Sequence, residues 1–111
     1  MWIAVALIQA AVPVASVDDD LRCTAILSQQ LEAAGEGERG PITAAMMYFV
    51  GRIQGAAPMT DIPEAVDKLR KTPSTKAQTD AIRTGCATRL LQQARTFAAI
   101  DPAALRVETV E

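Results

Sequence analysis

The apolar residues Ile42, Ala45, Met46, Phe49, Val50 and Ile53 recur at i, i+3, i+4, i+7, i+8 and i+11, the clearest helical period in the chain. The pattern predicts a helix that opens at Pro41, where a missing N–H costs nothing in a first turn, and runs to Gly55. Its other flank carries Ala44, Met47, Tyr48, Gly51 and Gly55, and no charge interrupts the run until Arg52. Gly51 and Gly55 would let another backbone approach closely. A helix apolar on so many sides is either central to its bundle or docks something.

Three further helices follow from the same reading. One spans about Asp18–Ala34, with acidic residues at its positive end and Cys23, Ile26, Leu27, Leu31 and Ala34 near one face. The polar stretch GEGERG after it reads as a loop. A short helix begins at the N-cap Asp61, with Glu64 completing a capping box, Pro63 in the first turn and a stripe of Ile62, Val66 and Leu69. The last runs from about Thr75 to Ala99, where Ile82, Cys86, Leu90, Ala94 and Phe97 share a side, and Gly85 removes bulk beside Cys86. Asp101-Pro102 stops it, leaving residues 101–111 as a tail. No stretch alternates long enough for a strand. The expected fold class is all-α, a small bundle of about four helices.

Composition narrows the function. The 111 residues are 50% apolar but only 4% aromatic, so an alanine-rich core should be thin. Eleven basic and thirteen acidic residues give a net charge of −2, without the basic cluster that nucleic-acid binding needs. Residues 1–16 form an uncharged run that reads as a signal peptide, with cleavage near residues 15 and 16, ahead of a domain over 17–100. The run lacks the basic residues that usually open such a leader, and a buried N-terminal helix is the alternative. A proline and a glutamine in so short a run speak against a membrane anchor, so no stable span is expected after processing.

Cys23 and Cys86 are the chain's two cysteines. In an exported domain such a pair reads as one disulfide, and each lies on the apolar stripe of its helix. Closing so long a loop would remove roughly 4 kcal/mol of entropy from the unfolded chain. Two free buried thiols in a cytoplasmic protein are the alternative.

Candidate chemistry is sparse. No histidine is present, so neither a zinc site nor a histidine base can be built, and no cofactor is expected. Asp18, Asp19 and Asp20 lack calcium-loop spacing and suit helix capping instead. Asp61 and Glu64 are accounted for by their capping box. Ser16, Ser28 and Ser74 stand in no nucleophile motif, and a Cys86 nucleophile would have no histidine to activate it. The chain therefore reads as a non-enzyme. Tyr48 and Arg52, four apart beside Gly51 and Gly55, are candidate partner-binding residues, since tyrosine and arginine are enriched at binding hot spots. Alternatively, Tyr48 packs inside while Arg52 lies along the bundle edge.

The order RCTAIL, a proline-started apolar helix and AIRTGC resembles the small periplasmic acid-stress chaperones of the Hde type. That resemblance implies a disulfide between helices through Cys23 and Cys86, a homodimer at neutral pH, and release in acid to hold unfolding client proteins. YFVGRIQG ahead of DIPEAVDKL and a late cysteine is similar to periplasmic immunity proteins of the Rap/Tai type, which implies neutralising a secreted toxin by direct binding. Protonating all thirteen carboxylates would carry the net charge from −2 to +11, enough self-repulsion to favour expansion. The expected function is a periplasmic or secreted protein acting by protein–protein contact, first as such a chaperone. The second reading is a specific binding or immunity protein, and the third a small-molecule binder.

Overall fold

The computed structural model describes residues 16–99. Residues 1–15 of the proposed leader over 1–16, and the C-terminal tail over 101–111, fall outside that range. Four helices occupy it: α1 (Val17–Ala33), α2 (Glu36–Ala56), α3 (Ile62–Lys71) and α4 (Lys76–Ala98). No strand occurs among the described residues, and the all-α fold stands as expected.

Each helix start has a local cause. Ser16 caps α1: its hydroxyl accepts the Asp19 N–H at 3.1 Å, and its own N–H donates to Asp19 Oδ2 at 3.1 Å. Asp61 caps α3 by accepting the Glu64 N–H at 3.1 Å. Thr75 and Gln78 form a second reciprocal box at the head of α4, with bonds of 3.1 and 3.0 Å. Lys68, Arg70 and Lys71 close α3 at its negative end.

The start of α2 differs from the sequence reading. GEGERG is not a loop: from Glu36 on it is helical, and Pro41 lies inside the helix. The Glu38 N–H bonds the Gly35 carbonyl at 3.0 Å, and Glu36 and Glu38 sit where the helix dipole favours negative charge. Pro41 removes the N–H that would reach the Gly37 carbonyl and its ring crowds that oxygen, but Gly37 is exposed, so water can satisfy it. One proline near a helix end is tolerable on those terms.

α1 is the hub of the bundle, and α2, α3 and α4 all pack on it. The sequence offered α2 for that place because its apolar period is stronger. α1 has what a hub needs, which is short side chains on several sides. Asp20, Leu21, Cys23, Thr24, Ala25 and Leu27 are all buried, so neighbours approach from more than one direction. Thr24 makes its burial tolerable by donating its hydroxyl to the Asp20 carbonyl at 2.8 Å. α2 lies along α1 after the short link Ala34–Gly35, buries Phe49 and Ile53, and leaves its opposite flank in solvent.

The core is as thin as composition implies. Cys23, Leu27, Phe49 and Cys86 form its centre, with Ile42, Ala45, Met46, Tyr48, Ile82 and Leu90 around it. Cys23 and Cys86 form a disulfide across 63 positions of sequence, Cα to Cα 5.6 Å, which ties the first helix to the last. α4 touches α1 over a small area about this bond, far less than α2 does. Gly85 is not where close approach occurs: a Cβ there would meet nothing within 4 Å, because the residue faces solvent. No helix among the described residues is long and apolar enough to cross a membrane.

Candidate functional site

Three helices meet around one carboxylate. Asp20, three residues before Cys23 on α1, is only 2% exposed. Arg89, three residues after Cys86 on α4, donates from Nη2 to Asp20 Oδ1. From α2, Arg52 Nε reaches Asp20 Oδ1 at 3.3 Å and Oδ2 at 3.2 Å. A carboxylate this deep would be strongly unfavourable alone, and two guanidinium partners compensate for its burial. The bonding is complete: among the described residues no buried side-chain nitrogen or oxygen lacks a partner.

Arg89 is held on two further sides. Its guanidinium carbon stands 4.9 Å from the centroid of the Phe49 ring, and Nη1 donates to Cys23 Sγ at 3.8 Å. Tyr48 meets Phe49 edge to face with centroids 5.1 Å apart. Acid, cations, rings and disulfide thus form one cluster in which every helix of the α1–α2–α4 junction supplies a charged side chain.

The residues singled out for partner binding divide into two groups. Tyr48 and Arg52 turn toward the junction, Tyr48 half-buried on Phe49 and Arg52 bonded to Asp20. Gly51 and Gly55 lie further round α2 in solvent, and a Cβ at either would meet nothing within 4 Å, so no helix of this chain approaches them. Ala44 and Met47 share that outer flank, with Met47 68% exposed. Asp20 and Arg89 were missed. The available signal was a charged residue three positions from each cysteine, on the face expected to be apolar.

A second concave feature lies between α1, α3 and the start of α4. This groove of about 460 Å³ is lined by Ala25, Ile26, Leu69 and Ile82 together with Arg22 and Arg70. Both arginines are engaged: Arg22 pairs with Asp18 at 2.9 Å, and Arg70 makes two parallel bonds to Glu32 at 2.8 and 2.7 Å. Arg70's hydrogen bonds, and then its charge, hold the Glu32 carboxyl below the usual range. The Asp19 carboxyl is also held low, first by the Ser16 N–H and next by the Ser16 hydroxyl.

No group of three or more cysteine or carboxylate side chains among the described residues is placed to hold a metal ion. Comparison of the chain with protein-family models, with curated proteins and with solved structures finds no match.

Proposed function

We propose that this chain is an exported, non-enzymatic helical protein that works by contact with other proteins, through the outer flank of α2. One observation carries this reading. α2 is apolar or small on two sides yet is not the centre of the bundle, so Ala44, Met47, Gly51 and Gly55 face solvent. Met59, just beyond α2, is 95% exposed as well. Contiguous exposed apolar surface marks interaction sites, and methionine adapts to varied partners. The disulfide is compatible with an oxidising compartment, in keeping with a periplasmic or secreted location.

Within this class the acid-stress holdase leads. Its support is the ion pair from Arg70 on α3 to Glu32 on α1, which holds the Glu32 carboxyl below its ordinary value. Acid removes that tie while the disulfide keeps the chain from opening fully. A specific binding or immunity role uses the same flank at neutral pH, and there Tyr48 and Arg52 would shape the flank from behind rather than touch the partner. The groove on α1, α3 and α4 is the feature that supports the small-ligand reading.

Size exclusion, binding of an apolar dye and suppression of client aggregation, each followed from neutral to acid pH, test the holdase. The expected result is a compact species at neutral pH that exposes apolar surface and protects an acid-denatured client below the carboxylate range. A chain inert in all three measurements overturns it. If Met47→Glu leaves client protection and partner capture intact, the α2 flank is not the contact surface.

A further inference from the structure

We infer that the Cys23–Cys86 disulfide is a directed site for small thiols, with attack at Cys86 Sγ and Cys23 as the leaving sulfur. The charge at the junction sets that direction. Arg89 Nη1 already donates to Cys23 Sγ at 3.8 Å, and its guanidinium is fixed there by Asp20 and by the Phe49 ring. A sulfur that departs as a thiolate beside a preset cation leaves faster, because exchange favours the better-stabilised leaving group. The Asp20 charge opposes this effect, but Asp20 is shared with Arg52 and does not take up Arg89 alone. Arg52 and Arg89 both bond Asp20, and the Asp19 charge also reaches Arg89.

Displacement at sulfur requires the nucleophile in line with the breaking bond, opposite the leaving sulfur. Both sulfurs are nearly covered at rest, Cys23 3% and Cys86 5% exposed, so burial does not choose between them and the direction rests on the Arg89 charge.

The step balances without an added oxidant. A thiolate such as that of glutathione forms a bond to Cys86 Sγ, the Sγ–Sγ bond breaks, and its electron pair stays on Cys23 beside Arg89. A second thiol then displaces Cys86 from the mixed disulfide and completes the reduction. The direction of attack does not depend on the proposed function.

Brief exposure of the folded, oxidised full chain to glutathione at neutral pH, acid quenching and peptide mapping by mass spectrometry give the test. The expected product carries glutathione on Cys86 and a free thiol on Cys23, about tenfold over the reverse isomer. Arg89→Met, which removes the charge and keeps an apolar stem, should slow the reaction several-fold and narrow that ratio. Arg89→Lys should restore most of both, and it supplies the folded comparison if circular dichroism shows that Arg89→Met has lost its helices. Glutathione mainly on Cys23, an even distribution, reaction only in denaturant, or a rate that does not respond to the charge at position 89 overturns the inference.

Discussion

Asp20 and Arg89 are ion-paired one helical turn from the disulfide that joins the same two helices, so the covalent and electrostatic ties between α1 and α4 form one unit. The two ties differ in what breaks them. Substitution of either charge removes the ion pair and leaves the disulfide, and reduction removes the disulfide. α4 touches α1 over a small area, so each tie carries a large share of its attachment.

Asp20→Asn keeps the shape of the side chain and withdraws the charge that Arg52 and Arg89 share. Both guanidiniums reach solvent, with side chains 36% and 20% exposed, so the cost stays below that of a fully buried charge. Urea unfolding should show a loss of about 1–3 kcal/mol. Arg89→Met should cost more than Arg52→Met, because Arg89 is the more enclosed and also contacts Phe49 and Cys23. An Asp20→Asn chain as stable as the parent would show that the cluster contributes nothing to stability.

Cys23→Ser, or Cys86→Ser, should cost roughly 4 kcal/mol, the loop entropy of a bridge spanning 63 positions. That approaches the whole stability of a domain with so small a core. Thermal melts with and without reductant check it. The reduced chain should lose α4 helicity first, since α2 retains its long contact with α1.

Acid sensitivity has a definite sign. Glu32 and Asp19 both titrate below their ordinary carboxylate values in the folded chain. Each therefore contributes stability that is present above its unfolded value and is lost as pH falls through the folded one. Arg70→Ala should lower the melting temperature slightly at neutral pH, and the difference should vanish in acid below the range of free glutamate. The difference should also shrink with added salt, because the pair is exposed. A difference that persists in acid would place the Arg70 contribution in packing instead.

Pro41→Ala separates the observed start of α2 from the start that the sequence suggested. With Pro41 at the first helical position, alanine would be neutral or slightly harmful. Inside a helix that begins at Glu36, alanine restores the N–H to the Gly37 carbonyl and removes a ring clash. The expected gain is about 1 kcal/mol, less than for a mid-helix proline because the site is near an end. An unchanged or lowered melting temperature would favour the later start.

The boundaries of α1, α3 and α4 were legible because Asp61, Thr75 and the acidic opening of α1 are local signals that need no partner. The start of α2 was not, since Gly37 and Gly40 weaken a helix on average and only continuity with the strong run after Pro41 carries them in. Which helix is the hub was also hidden. Periodicity ranks Phe49 and Ile53 as core, correctly, but it measures how apolar one face is, not how many helices press on a backbone with small side chains such as Thr24 and Ala25. The junction was half legible. Cys23 and Cys86 were paired from their stripes and the compartment that composition implied, whereas Asp20 read as a helix-cap charge and nothing local marked Arg89 until the fold placed the two against each other.

Gly51 and Gly55 allow a double readout on the proposed contact surface. Neither meets any atom within 4 Å of an added Cβ, so alanine at either site fits the monomer without displacing a neighbour. Gly51 is well inside α2, and Gly51→Ala should raise stability by about 1 kcal/mol through helix propensity. Gly55, at the last turn, should gain less. If these glycines instead serve close approach of another protein, the same substitutions obstruct that approach and weaken client protection or partner capture in chains more stable than the parent. A stability gain paired with a binding loss cannot come from damage to the fold, so the flank of α2 would be assigned to contact. Stability gained with binding unchanged would move the contact surface away from Gly51 and Gly55, toward Met59 and the exposed Leu91 and Phe97 of α4.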